Sequence, residues 1–145
     1  MCFTLYIGSK TALPKILWNK EHPRFNTRDL EDYEKNIPGC FSYPEVVYAG
    51  SDQGCGCGFR HALLTGAEWF PVISEDDQVT DKARKNHQDL FDFITSNIKD
   101  VKFEIFACWN GDVDGGPQSV EEINCHDLIN EGFYFKEGSL YTIVI

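Results

Sequence analysis

The chain has 145 residues, of which 42% are hydrophobic and 14% aromatic, a composition that excludes a disordered chain and predicts one globular domain over residues 1–145. Lys and Arg total 13 and Asp and Glu total 23, which gives a formal net charge of -10. This charge repels phosphate groups and anionic lipids, so we expect neither nucleic acid nor a membrane as partner. It favours a basic protein partner, and the sequence is silent on oligomeric state.

The start of the chain predicts its compartment. Residues 1–8 form a short apolar run with no basic segment before it and no cleavage signature, so no signal peptide is predicted. No stretch approaches the roughly 20 apolar residues that a membrane helix needs. We therefore expect a cytoplasmic protein whose six cysteines are reduced.

Three elements are predicted in the first half of the chain. Residues 2–8 alternate in polarity and indicate a strand. Residues 29–37 indicate a short helix, which Pro38 and Gly39 end. Residues 46–49 form a compact apolar run typical of a buried strand, and a glycine-rich segment with two cysteines follows it.

A long helix and a strand come next. Residues 80–98 place apolar side chains at spacings of three, four and seven, which predicts one amphipathic helix. His87 falls on or beside this apolar stripe, where we expect a packed or solvated helix residue and not a metal ligand. Residues 101–109 alternate with apolar side chains on both faces, which predicts a strand buried on both sides.

Two further elements are predicted near the C-terminus. Ser119 and Glu122 have the spacing of a capping box, so a short helix is expected to begin there. The apolar segments 133–135 and 140–144 flank residues 136–139, a pattern typical of an antiparallel hairpin.

This order of elements predicts an α/β or α+β fold. We expect a single sheet, partly parallel with a C-terminal antiparallel hairpin, packed by the long helix and by one or two short helices. If the strands at 46–49 and 101–109 are parallel, the loops that follow them open on the same edge of the sheet. The cysteine segment and residues 110–116 then share one edge.

The cysteine segment is the main candidate site. Cys55 and Cys57 are two residues apart, so in an extended segment their side chains point the same way and can converge on one ion. Zinc takes about four ligands. The other candidate ligands are His61, Cys108, Cys125, His126 and Cys2. The set that we predict is Cys55, Cys57, His61 and Cys108, with zinc as the ion; a purely structural loop without an ion is the alternative.

A reactive thiol is a second interpretation of the same segment. A nucleophilic cysteine needs a lowered pKa, and Arg60 and His61 are close enough in sequence to lower it. The Cys-x-Cys spacing differs from the Cys-x-x-Cys of thioredoxin-like sites, and no catalytic base can be paired with a nucleophile from spacing. Whether the chain is an enzyme stays open.

Residues 110–121 resemble a calcium-binding loop. Asn110, Asp112, Asp114 and Glu121 follow the spacing of such a loop, with Asn110 at the position of its first Asp. A strand precedes the segment where that motif has a helix, and acidic glycine-rich turns are common without an ion. Calcium is therefore a secondary prediction.

Three segments together resemble a known group of proteins. Residues 1–7, 41–46 and 50–59, above all the string Gly-Cys-Gly-Cys-Gly-Phe, are similar to a family of small uncharacterised bacterial proteins. The resemblance extends over most of the chain. It implies a bacterial origin and a compact domain, and it implies no activity.

Two functions follow as predictions. The first is a small cytoplasmic protein with a metal or thiol site built on Cys55 and Cys57. The alternative is an acidic inhibitor or immunity-type protein that binds a basic partner without catalysis.

Overall fold

A computed structural model of the chain describes residues 2–65, 68–71 and 77–145, with side chains described outside residues 62–80. The described residues form one long helix, α1 (Asp77–Asn97), several short 3₁₀ turns and nine strands. The strands are β1 (Phe3–Ser9), β2 (Asn26–Arg28), β3 (Glu45–Gly50), β4 (His61–Thr65), β5 (Glu68–Pro71), β6 (Lys102–Trp109), β7 (Ser119–Asn124), β8 (Phe135–Lys136) and β9 (Ser139–Val144). The fold is α+β, as the sequence predicts.

Six strands form the main sheet, in the order β2-β3-β1-β6-β9-β7. The sheet is mixed, because β7 runs parallel to β9 while the other neighbours are antiparallel. Strand β1 lies between β3 and β6, and all seven of its residues are buried. The N-terminal strand is therefore an interior element of the fold.

The expected shared edge of the sheet is confirmed. Strands β3 and β6 both pair antiparallel with β1, so they point the same way although β1 separates them. Ala49 pairs with Leu5, and Trp109 pairs with Phe3. The C-terminal ends of β3 and β6 therefore lie on the same side of the sheet, at the edge where β1 begins.

Each face of the main sheet is covered. On one face, alternate residues of β1 and β6 pack against α1 in the larger core cluster, to which Phe3, Leu5, Leu90, Ile94 and Ile105 belong. The opposite face carries a smaller cluster that includes Tyr6, Ile37, Tyr48, Phe106 and Cys108. The period-two alternation of these strands divides the apolar residues between the two faces.

The predicted C-terminal hairpin is wrong. Strand β8 pairs with β4 in a second, three-stranded sheet of order β5-β4-β8, whereas β9 pairs with β6 and β7 in the main sheet. Gly138 makes the tight turn between them with a φ of 75°. The turn that the sequence indicates therefore joins two sheets, because each apolar segment finds a partner distant in sequence.

The predicted helix at Ser119 is also wrong. Residues 119–124 are strand β7 and pair with β9 along their whole length. Pairing with β9 outweighs the local helix-start pattern, and Ile123 turns inward to pack on the core. A capping box does occur five residues later, where Asn124 accepts from the His126 N–H and Asp127 accepts from the Asn124 N–H at the start of a 3₁₀ turn.

The helix predicted at residues 29–37 is replaced by two short 3₁₀ turns, Asp32–Glu34 and Ile37–Cys40. The long helix begins at Asp77 and ends at Asn97, within three residues of the predicted bounds. In the described part of the chain, no helix has both the length and the apolar character that crossing a membrane requires.

His87 of α1 is packed inside the protein and not solvated. Its Nε2 accepts the Arg60 backbone N–H at 2.9 Å, and its Nδ1 lies 2.7 Å from the Leu128 carbonyl oxygen. An atom that accepts an N–H carries no proton, so the ring is neutral and Nδ1 donates to Leu128. Burial, and secondly the charge of Arg60, lower the pKa of His87 to about 3.

This geometry predicts a loss of stability in mild acid. The unfolded chain takes up a proton at His87 below pH 6.5, whereas the folded chain does not. The stabilisation of the folded state by the neutral ring is therefore complete above pH 6.5 and falls as the pH drops towards 3. Between pH 7 and pH 5, the free energy of unfolding should fall by about 2 kcal/mol more in the native protein than in His87→Gln. Urea denaturation at both pH values measures this difference. Equal losses in the two proteins would contradict the neutral, buried ring.

Candidate metal centre

The segment between β3 and β4, here called the cysteine loop (residues 51–58), turns back on itself around Ser51. The buried Ser51 hydroxyl donates to the Cys55 carbonyl at 2.6 Å and accepts the Gly58 N–H at 3.0 Å. The Ser51 N–H donates to the same Cys55 carbonyl at 2.7 Å. One small side chain thus closes the loop at both ends.

A second set of contacts fixes the loop to the rest of the protein. The Asn86 side chain of α1 accepts the Asp52 N–H at 3.0 Å and donates to the Asp52 carboxylate and the Gly58 carbonyl. The Trp18 indole N–H donates to the Asp52 carbonyl at 3.0 Å. Its ring covers Gly54, which has a φ of 79° that other residues rarely adopt. The loop is therefore held before any ligand arrives.

The cysteine loop lies directly against the start of β1. The Phe3 backbone N–H donates to the Cys57 sulfur at 3.3 Å. At Gly56 the backbones are so close that a Cβ atom would lie 2.7 Å from the Phe3 carbonyl oxygen. Only glycine allows this approach, which brings the residue before Phe3 next to the loop.

This approach assembles three thiols. The sulfur atoms of Cys2, Cys55 and Cys57 all lie within 4.8 Å of one another, close enough to hold one metal ion. Cys2 is exposed, whereas Cys55 and Cys57 are half-buried. We call these three residues the thiol cluster. It is the only such group of His, Cys, Asp or Glu side chains among the described residues.

Two of the four predicted metal ligands lie elsewhere. His61 is stacked on Phe3 with ring centroids 4.6 Å apart, and its Nδ1 lies 2.9 Å from the Phe59 carbonyl oxygen. Cys108 is buried in the core cluster on the face opposite α1, with its sulfur 3.5 Å from the Thr4 hydroxyl. The structure brings Cys55 and Cys57 together as predicted and adds Cys2 in place of this pair.

Cys2 was one of several candidate ligands in the sequence, and nothing local distinguished it from the others. Cys125 and His126 follow β7 at the opposite edge of the sheet, where Asn124 pairs with Val144. The signal for Cys2 is its position directly before a strand that lies between β3 and β6. That signal becomes readable only when the strand order is known.

Two of the four predicted calcium ligands, Asp114 and Glu121, are engaged with other partners. Asn110 begins a 3₁₀ turn after β6, and its N–H donates to the Cys2 carbonyl at 2.8 Å. Asp114 accepts from the Asn36 amide at 2.8 Å, and Glu121 forms an ion pair with Lys136 at 2.7 Å. Within the described residues, Asp112, Asp114 and Glu121 do not converge on one point.

The surroundings of Cys55 do not favour a nucleophilic thiol. Burial, together with the neighbouring thiols of Cys57 and Cys2, raises the pKa of the Cys55 thiol to about 12, against the opposing effect of the Cys57 backbone N–H. Arg60 instead donates to the carbonyls of Asn130 and Glu131. Cys55 is thus a protonated thiol at neutral pH, which a metal ion converts to a thiolate on binding.

The fold and this site define an α+β protein with three convergent thiols at a sheet edge. In comparisons with known proteins, no family model matched the chain, and no similar curated protein or solved structure was found. The resemblance to small bacterial proteins therefore stays a prediction.

The close approach at Gly56 can be tested directly. In Gly56→Ala the new methyl group would meet the backbone of Phe3 and Thr4, so the loop must move away from β1. We expect a loss of about 1–3 kcal/mol in the free energy of unfolding, as for other overpacked sites. Gly132→Ala is the matched control, because a Cβ there meets nothing within 4 Å. Equal stability of the two variants in urea denaturation would show that the loop does not depend on this contact.

Proposed function

We propose that this protein binds a zinc ion through Cys2, Cys55 and Cys57. The observation that carries the proposal is the convergence of the three sulfur atoms within 4.8 Å. Thiolate sulfur is a soft ligand that suits zinc, and the hydrogen bonds of Ser51 and Asn86 hold two of the three sulfurs in advance. A preorganised loop lowers the entropy that binding costs.

The proposed ion exchanges with solution, and the fold does not require it. Both faces of the main sheet have their own apolar clusters, and the thiol cluster lies at the edge of the sheet with Cys2 exposed. Three protein ligands leave the fourth zinc ligand to solvent or to an incoming group, an arrangement that differs from closed four-ligand structural sites.

Zinc stoichiometry tests the proposal. The reduced native protein should bind one zinc ion per chain, measured by elemental analysis after gel filtration. Replacing any one of the three ligands, in Cys2→Ser, Cys55→Ser or Cys57→Ser, should raise the Kd for zinc by more than about 100-fold. Loss of a partner in the outer shell of a metal site costs up to about 100-fold, and loss of a direct ligand costs more.

Cys40→Ser is the matched control, since Cys40 is a partly exposed thiol outside the thiol cluster. It should bind zinc as the native protein does. Native protein that retains no zinc, or single cluster variants that bind normally, would refute the proposal.

The alternative prediction, an acidic protein that binds a basic partner, rests on the net charge of -10. It stays a prediction. Three consecutive residues, Ile16, Leu17 and Trp18, are exposed, and Trp18 lies over Gly54 of the cysteine loop. If the thiol cluster binds no metal ion, this apolar surface is where the search for a partner should begin.

A further inference from the structure

The thiol cluster offers three sulfur ligands, and no fourth His, Cys, Asp or Glu side chain among the described residues joins them. Trivalent arsenic and antimony form three bonds to sulfur in a pyramid, with a lone pair on the remaining side. We propose that the thiol cluster captures a trivalent thiophilic hydroxide of the arsenous acid class, one molecule per chain. This inference rests on the proposed function, since it uses the same three sulfurs.

Charge balance favours a trivalent centre. Three thiolates on a trivalent ion make a neutral group, whereas the same thiolates leave a charge of -1 on zinc and -2 on a monovalent copper ion. Two of the thiols are half-buried in a chain of net charge -10. Uncompensated charge in a partly desolvated place is costly, so the neutral group is the one that these surroundings stabilise best.

The cation closest in sequence to the cysteine loop makes hydrogen bonds to a different segment of the chain. Arg60 is the cation closest in sequence to Cys57, and its Nη1 donates to the Asn130 and Glu131 carbonyls at 3.0 and 2.6 Å. The hydrogen bonds to the cluster come from uncharged backbone, such as the Phe3 N–H on the Cys57 sulfur. The surroundings therefore suit a neutral adduct.

The reaction is a condensation that balances without an oxidant. Three arsenic–oxygen bonds and three S–H bonds break, while three arsenic–sulfur bonds form and three water molecules leave. Each thiol proton goes to a departing hydroxide, and arsenic stays trivalent throughout. Cys2 is exposed and is the first thiol that an incoming molecule meets. Cys55 and Cys57, which belong to the fixed cysteine loop, then form the remaining two arsenic–sulfur bonds.

The test uses the full chain, reduced, with sodium arsenite as the probe. Intact-mass spectrometry should show one arsenic per chain, with three fewer cysteines open to alkylation. Cys2→Ser should raise the Kd for arsenite by more than about 100-fold. The same variant should still bind phenylarsine oxide, which needs only two thiols and can use Cys55 and Cys57. Cys40→Ser should behave as the native protein does.

The outcomes separate this inference from the proposed function. Zinc binding without arsenite binding overturns the inference and leaves the zinc site standing. Arsenite held as tightly by Cys2→Ser as by the native protein also overturns it, because two thiols then suffice. If the native protein binds neither zinc nor arsenite, both proposals fail. Arsenite binding that requires all three cysteines supports the inference even where zinc binds weakly.

Discussion

The backbone of Phe3 is the point on which the site depends. Its N–H donates to the Cys57 sulfur, and its carbonyl oxygen stands so close to Gly56 that no larger residue fits there. The two contacts set the distance between the cysteine loop and the start of β1. Because Cys2 directly precedes Phe3, this distance also decides whether its sulfur reaches the other two. The thiol cluster is thus a consequence of one close backbone approach.

Two polar clusters in this protein illustrate different roles. On the face opposite α1, the fully buried Glu34 accepts hydrogen bonds from the Tyr6 hydroxyl, the Arg28 guanidinium and the Glu31 N–H. Arg28 also lies over the Tyr48 ring at 3.8 Å. These partners satisfy the buried carboxylate, so the arrangement is structural. The thiol cluster differs, because its sulfurs receive only weak hydrogen bonds and one thiol faces solvent. Such an arrangement has capacity left for an external ligand.

The elements that have a local sequence pattern were predicted correctly. Those that depend on pairing with a strand distant in sequence were not. Alternation in β1 and β6 and the apolar stripe of α1 were sufficient to place these elements, because each buries a regular set of side chains. Ser119 and Glu122 have a helix-start spacing, yet pairing with β9 makes them a strand.

The candidate site follows the same rule. Cys55 and Cys57 were predictable as a pair from their spacing and from the glycines around them. Cys2 was not distinguishable from Cys108 or His61, because its role depends on β1 lying between β3 and β6. Cys108 lies on the same face of the sheet as Thr4 and is buried in the core. Long-range strand order, and not composition, decides which thiols meet.

X-ray absorption at the zinc K-edge of the zinc-loaded protein tests the central claim most directly, since it counts the sulfur atoms around the ion. The structure predicts three sulfur neighbours at about 2.3 Å, with one lighter atom completing the shell. A shell of two or fewer sulfur atoms would show that Cys2 does not join Cys55 and Cys57, and it would contradict the assembly of the site by strand β1.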